Sequence, residues 1–234
     1  MTAKQFISKL RTYQSDTEIP KVAKYFKGDD GVTKTMGVRF GDIFKTAKEF
    51  TLMPLDEVSK LLDDKHYEVR MGAVSIMDYQ AKSKKITDTQ RKAIFNLYIN
   101  RHDRLNNWDF VDRGAHAIVG QYLLDKPRKI LYKLAKSKDP WERRTAIVAT
   151  YPFIKNNELD DTFNIAEILL YDEHEFVNKA VGSWLRVAGQ KDIKRLKTFL
   201  DKHAADTPRE TLRFAIEKMD KTTRDRYLKM KAGS

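Results

Sequence analysis

The feature that most restricts the fold of this chain is an internal repeat. Segment 61–74 aligns with segments 98–111, 134–147 and 169–182, and their first residues lie 37, 36 and 35 residues apart. Each copy predicts the end of one helix, a polar turn and the start of a second helix. Two core positions recur in every copy: Ala73-Val74, Phe110-Val111, Ala146-Ile147 and Val181-Gly182. Because HEAT repeats usually have about 40–47 residues, the slightly shorter period here predicts a HEAT-like stack of helix pairs.

The rest of the sequence also indicates helices. Apolar residues recur at helical spacing over most of the chain, and no stretch alternates long enough to predict a strand. Three potential helix starts pair a capping residue with Glu or Gln three positions later, at 87–90, 139–142 and 207–210. Since each repeat buries its apolar face only against its neighbours, we expect one all-α superhelical domain over residues 1–234, with a concave groove.

The charge of the chain indicates a polyanionic partner. It has 45 Lys and Arg against 33 Asp and Glu, a formal net charge of +12, so the groove is expected to be basic and to bind nucleic acid. Positive charge also promotes solubility, which is the simpler interpretation. The chain has no cysteine, which excludes disulfides, thiolate metal sites and cysteine nucleophiles. The five histidines lack metal-ligand spacing, so we predict no metal and no cofactor.

We also expect a cytoplasmic, monomeric protein that does not bind membranes. The N-terminal stretch is amphipathic and does not have the apolar centre of a signal peptide. No apolar run approaches the roughly 18 residues that a membrane span needs.

The repeat frame predicts a functional strip on the inner face of the helices. Residues four apart share one side of a helix, and equivalent positions in the four repeats are Met71 with Ser75, Trp108 with Asp112, Arg144 with Val148, and Lys179 with Ser183. One turn further along lie Asp78, Ala115, Tyr151 and Arg186. Taken singly, the tryptophan could be core, and the charged residues could be surface ion pairs. Their recurrence in matching positions favours a shared site.

Three segments around this strip resemble a known family. They are residues 106–112 (NNWDFVD), 141–148 (WERRTAIV) and 179–186 (KAVGSWLR). They are similar to the signature segments of the DNA alkylation repair glycosylases of the AlkD type. The likeness extends to residues 23–27 and 36–39 near the start and to residues 212–218 near the end, so that the resemblance covers most of the chain.

The resemblance implies a HEAT-like solenoid that excises cationic N3- and N7-alkylated purines from double-stranded DNA without moving the base into a deep pocket. It implies one essential aspartate, Asp112, with Arg144 and Trp108 around the lesion. Where the family usually has an aromatic residue, this chain has Ser183, and Trp184 follows. Consecutive residues of a helix point about 100° apart around its axis, so we expect Trp184 to cover the lesion from another side. The range of substrates is therefore left open.

The chemistry of the reaction suits these residues. Cleavage of a glycosidic bond develops positive charge on the sugar, which the Asp112 carboxylate would stabilise. A cationic purine leaves as a neutral base, so one carboxylate suffices and water is the expected nucleophile. We therefore predict base release without strand cleavage. Trp108 and Trp184 would stack on the lesion. Four cations are expected to bind DNA phosphates: Arg143, Arg144, Lys179 and Arg186.

Two alternatives compete with a glycosylase. A helical solenoid could bind damaged or branched DNA without chemistry, which predicts salt-sensitive binding and no abasic sites. It could also be a scaffold for an acidic protein partner, because one fold supports many functions.

Overall fold

In the computed structural model, the described residues are 1–28 and 30–230. Within these ranges the chain consists of helices and connecting turns, without a β-strand. An isolated bridge joins Lys34 and His66. The predicted all-α class is confirmed. The chain divides into two compact units, Met1–Tyr122 and Leu123–Ser234, and the single domain expected over residues 1–234 stays a prediction.

The first unit is organised around one buried helix. Its helices, in chain order, are α1 (Ala3–Arg11), α2 (Ile19–Ala23), α3 (Phe40–Glu49), α4 (Leu55–Leu62), α5 (Tyr67–Ala81), α6 (Asp88–Asn100) and α7 (Trp108–Gly114). Helix α5 is buried along most of its length and packs against α3, α4 and α7. A π-helical segment, Ala115–Gly120, continues directly from α7.

The second unit has α12 at its centre. Its helices are α8 (Lys129–Leu134), α9 (Pro140–Val148), α10 (Tyr151–Lys155), α11 (Asp160–Ile168), α12 (Glu175–Lys191), α13 (Ile193–His203), α14 (Arg209–Ala215) and α15 (Lys221–Lys229). Helix α12 packs against α9, α13 and α14. Its closest neighbour is α14, because Gly182 of α12 lies directly against the main chain of Thr211.

The helix pairs occur where the repeat predicts them. The pairs are α4 with α5, α6 with the π-helical continuation of α7, α8 with α9, and α11 with α12. All eight predicted core positions are buried: Ala73, Val74, Phe110, Val111, Ala146, Ile147, Val181 and Gly182. The assignment of these pairs to the HEAT class stays a prediction.

The predicted helix caps have mixed outcomes. Thr87 and Gln90 form a capping box at the start of α6, as predicted. Asp139 caps α9 through the Trp141 N–H, with Pro140 in the first turn. The predicted cap by Thr207 is wrong, because its hydroxyl donates to the carbonyl oxygen of His203 at the end of α13.

Two buried charged residues of α5 hold the segment between α2 and α3. One carboxylate oxygen of Glu68 accepts hydrogen bonds from the main-chain N–H groups of Met36 and Gly37, each at 2.8 Å, and of Val38 at 3.3 Å. Gly37 has a φ of 76°, a left-handed conformation that favours glycine. The Arg70 guanidinium donates to the side-chain oxygens of Thr33 and Asn106. The connection that leads into α3 is therefore fixed from the core.

Candidate functional site

Helix α7 places Trp108 and Asp112 on the same side, because residues four apart on a helix are neighbours. Both side chains are half-buried, and both line a cavity of about 350 Å³ within the first unit. The remaining lining residues are Tyr25, Phe40, Phe44, Met71, Asp109 and Arg113. The cavity therefore combines aromatic rings with two carboxylates and one arginine.

The orientation of Trp108 is set by the main chain at Tyr25. The Trp108 indole N–H donates to the carbonyl oxygen of Tyr25 at 3.1 Å, and the Asn107 side-chain amide donates to the same oxygen at 2.9 Å. Tyr25 is 46% exposed, and its ring packs edge-on against the Phe40 ring, with 4.9 Å between the ring centres. Two aromatic side chains from distant parts of the sequence thus line one cavity.

The two carboxylates of the cavity have different surroundings. Asp109 is buried and accepts hydrogen bonds from the Tyr67 hydroxyl and from the Asn107 amide, the latter at 2.6 Å. Burial raises the pKa of Asp109 to about 6, and these hydrogen bonds oppose the increase. Burial and the Asp109 charge also raise the pKa of Tyr67. Asp112 is half-buried, so it is the more accessible of the two carboxylates.

Arg113 supports the Phe44 side of the cavity. Its guanidinium lies 4.7 Å from the centre of the Phe44 ring and 4.8 Å from that of Tyr79. It pairs with the fully buried carboxylate of Asp78 at 3.1 Å, and its Nε donates to the Ser75 hydroxyl at 3.2 Å. The arginine charge is therefore balanced from the core.

The helix that carries Asp112 changes from α-helical to π-helical geometry three residues after Asp112. The π-helical segment Ala115–Gly120 contains a hydrogen bond from the Gln121 N–H to the carbonyl oxygen of His116, five residues back. His116 Nδ1 lies 3.2 Å from the main-chain oxygen of Asp112, and burial lowers the pKa of this histidine. π-Helical turns occur frequently at functional sites, so this change in winding is consistent with one here.

The other predicted lesion contacts lie in the second unit. Arg144 is buried, and its guanidinium donates to the carbonyl oxygen of Phe176. The half-buried Trp184 ring is 6.4 Å from the Tyr151 ring, in an edge-on arrangement. Its indole nitrogen is buried without a hydrogen-bond partner among the described residues. Ser183, which precedes it on α12, is also half-buried.

The three remaining cations predicted to bind phosphate are engaged in ion pairs within the second unit. Arg143 binds both oxygens of the nearly buried Asp172 carboxylate, and also donates to the main-chain oxygens of residues 137 and 138. Lys179 pairs with Glu175 and Glu210, and Arg186 pairs with Glu217. To bind Arg143, a DNA phosphate would have to replace the nearly buried Asp172 carboxylate. To bind Lys179 or Arg186, it would have to replace only exposed carboxylates.

Three aromatic residues of the cavity are not predicted from the sequence: Tyr25, Phe40 and Phe44. Tyr25 lies in one of the segments that carry the family resemblance. The expected strip is also not uniformly open. The prediction is wrong for Ser75, Asp78, Ala115 and Val148, which are buried and do not line the cavity, whereas the buried Met71 does line it. Arg144 is buried as well. Neighbouring helices cover α5 and α9 on this side as well as on the core side.

Comparison with known proteins decides the family. The sequence matches the family of DNA alkylation repair enzymes over residues 6–219. The chain belongs to this family. Its fold is similar to that of a solved structure described as a predicted DNA alkylation repair enzyme from Enterococcus faecalis. The TM-score is 0.70 over 89% of this chain and 97% of that chain, at 14% sequence identity, so this likeness concerns the fold alone. No curated protein matches the chain in sequence.

As a member of the DNA alkylation repair family, the chain has a role in the repair of alkylated DNA. DNA is therefore its partner, and the net charge of +12 agrees with binding to this polyanion. In the part of the chain that the structure describes, no helix is long and apolar enough to cross a membrane. Between residues 1 and 230, leaving out position 29, no cluster of His, Asp and Glu side chains could hold a metal ion.

Proposed function

We propose that this protein is a DNA glycosylase that hydrolyses the N-glycosidic bond of cationic N3- and N7-alkylated purines in double-stranded DNA. The observation that carries the proposal is the joint presence of Asp112, Trp108 and Tyr25 around one cavity in a chain of the DNA alkylation repair family. Monomeric state and cytoplasmic location, both expected from the sequence, stay predictions.

Asp112 would stabilise the transition state of the reaction. Breaking the bond between sugar and base creates positive charge on the deoxyribose, and an anionic carboxylate beside the sugar lowers the energy of that charge. Water, oriented by Asp112, would then attack the sugar carbon. The alkylated purine carries its positive charge before the reaction and leaves as a neutral base, so no second carboxyl group has to donate a proton.

Base release is proposed to occur without strand cleavage. Cleavage of the strand by a glycosylase would require an amine that forms a covalent intermediate with the sugar. No lysine is among the residues that line the Asp112 cavity. The proposed enzyme is therefore monofunctional, and its product is DNA with an abasic site.

The aromatic residues would recognise the positive charge of the lesion. A cation placed over an aromatic ring gains about 0.5–2 kcal/mol, depending on how far it is removed from water. Trp108 and Tyr25 are the aromatic candidates in the first unit, and Trp184 is the aromatic candidate in the second. Ser183 and Arg144 are predicted as further lesion contacts and do not attract the positive charge. Uncharged purines lack this attraction, which would favour alkylated over normal bases.

Backbone contacts would position the DNA without reading its sequence. Lys179 and Arg186 are the better candidates, since their partner carboxylates are at least 39% exposed and are easily exchanged for phosphate. Arg143 is the weaker candidate, because four hydrogen bonds already use its donors.

The test is release of methylated purines from alkylated duplex DNA by the wild type and by Asp112→Asn. We expect the variant to lower the single-turnover rate constant by about 100-fold or more, in line with the loss of a major electrostatic contribution. Asp103→Asn is the matched control, because its carboxylate is exposed in the same unit and the charge change is identical. Equal rates for wild type and Asp112→Asn would remove Asp112 from the mechanism. Salt-sensitive DNA binding without abasic sites would favour the non-enzymatic binder.

A further inference from the structure

The start of α7 is attached to a short segment that lies about eighty residues earlier in the chain. Residues 25–28 pass directly against the turn at 106–107, so closely that a Cβ atom at Gly28 would collide with the carbonyl oxygen of Asn106. We name residues 25–28 the strap. The strap carries Tyr25, and the turn leads into Trp108, so their contact joins the two aromatic residues that line the cavity.

We propose that Asn107 is a positioning residue that holds the strap against the start of α7. It thereby places Tyr25 and Trp108 so that they receive the alkylated base beside Asp112. This inference rests on the proposed function. Asn107 does not line the cavity itself and would act through these two neighbours, while its amide also contacts a third lining residue, Asp109.

Three hydrogen bonds of one buried side chain make this connection. The Asn107 side chain is fully buried. Its oxygen accepts from the Lys27 N–H at 2.8 Å, and its amide donates to the carbonyl oxygen of Tyr25 at 2.9 Å and to the Asp109 carboxylate at 2.6 Å. Both ends of the amide are therefore used, and two of the three bonds go to the main chain of the strap.

The Asn107 side chain does not cap the main chain of the helix that follows it, although its amide donates to the Asp109 carboxylate in the first turn of α7. Asn107 occupies the position before the first residue of α7, where asparagine normally accepts a hydrogen bond from the helix and stabilises it by about 1 kcal/mol. Its side chain makes no such bond. Asp139 at the same position of α9 does cap its helix through the Trp141 N–H. The Asn107 side chain is turned instead to the strap.

The Trp108 indole depends on the same carbonyl group. Its N–H donates to the Tyr25 carbonyl oxygen that Asn107 also binds. If Asn107 released the strap, this oxygen would move, the indole would lose its hydrogen bond, and the Tyr25 ring would move with its main chain. A displacement of about 1 Å in a substrate-positioning group can lower a rate about 100-fold.

The experiment compares Asn107→Leu with Gln80→Leu. Gln80 is the matched control because its side-chain amide also donates to two main-chain oxygens of the first unit, those of Thr51 and Met53, and it lies outside the Asp112 cavity. Both variants should lower the unfolding midpoint. Only Asn107→Leu is expected to lower the single-turnover rate of methylpurine release, by about 10- to 100-fold after correction for active protein. Equal rates for the two variants would overturn the proposal.

A second readout follows the Trp108 indole directly. The chain has three tryptophans, so the Trp108 indole N–H signal can be assigned in an NMR spectrum with Trp108→Phe. In Asn107→Leu its hydrogen exchange should accelerate about tenfold or more, whereas in Gln80→Leu it should stay at the wild-type rate. Unchanged exchange in Asn107→Leu would overturn the proposal even if activity were lost.

The indole readout separates this inference from the proposed function. If the wild type released no methylated purine, the glycosylase proposal would fail, while faster indole exchange in Asn107→Leu would still support the positioning role. Gly28→Ala provides an independent variant in case Asn107→Leu does not fold, because the added methyl group pushes the strap away from Asn106. It should give the same two effects, and wild-type values for both would contradict the proposal.

Discussion

The Tyr67 hydroxyl donates a hydrogen bond to the buried carboxylate of Asp109, which lies three residues before Asp112. Burial raises the pKa of Asp109 to about 6 in the folded protein, from an ordinary value of 3.8. Between these two pH values the folded protein therefore holds a proton that the unfolded chain has released. The resulting stability is complete below pH 3.8 and is lost as the pH rises to about 6.

We predict that Asp109→Asn removes this pH dependence. Asparagine is neutral at every pH and retains an acceptor for the Tyr67 hydroxyl. From pH 4 to pH 6.5, the stability of the wild type relative to the variant should fall by about 2 kcal/mol. Urea unfolding midpoints of both proteins across this range would measure the difference. Parallel pH profiles would show that Asp109 titrates normally in the folded protein.

Trp108 is predicted to distinguish damaged from undamaged DNA. Trp108→Ala removes an aromatic face from the Asp112 cavity, so binding of duplex DNA that carries a cationic lesion analogue should weaken about 5- to 30-fold. Binding of undamaged duplex should hardly change, because phosphate contacts dominate it. Trp141→Phe is a control in the core of the second unit, where the indole is buried. Equal weakening on both duplexes would exclude a specific lesion contact.

Lys179 and Arg143 should respond differently to the loss of their charge. Lys179→Met is expected to reduce the slope of log K against log salt for DNA binding by about 1, with little change in stability. Arg143→Met leaves the nearly buried Asp172 carboxylate without its partner. It should lower the free energy of unfolding by about 3 kcal/mol. A normal unfolding midpoint for Arg143→Met would show that its ion pair with Asp172 is dispensable.

Gly182 is predicted to determine the distance between α12 and α14. A Cβ atom there would collide with the Thr211 carbonyl oxygen, so Gly182→Ala should lower the free energy of unfolding by about 1–3 kcal/mol. Gly41 is also helical but has open space around its Cα. Gly41→Ala should therefore be neutral or stabilise by up to about 1 kcal/mol. Thermal unfolding of both variants would test this, and equal stability would contradict the close packing of α12 on α14.

Local sequence determined the helices, their pairing and the position of Asp112 beside Trp108. Helix formation and the 3.6-residue turn depend on near neighbours in the chain, so the repeat at 61–74 and its three copies predicts helix pairs correctly. The same local geometry places residues 108 and 112 on one side of α7. The family also follows from sequence, because its signature segments are continuous.

Tertiary structure alone decided which distant residues surround Asp112. Tyr25 and Trp108 are 83 positions apart, and their contact depends on the packing of a strap that has no periodic pattern. The direction of the Asn107 side chain was equally unpredictable, since its position before α7 favours a cap. Burial was decided at this level too. Asp78 lies in the core, where its charge is neutralised by the distant Arg113 as well as by Lys82, four residues further along the chain.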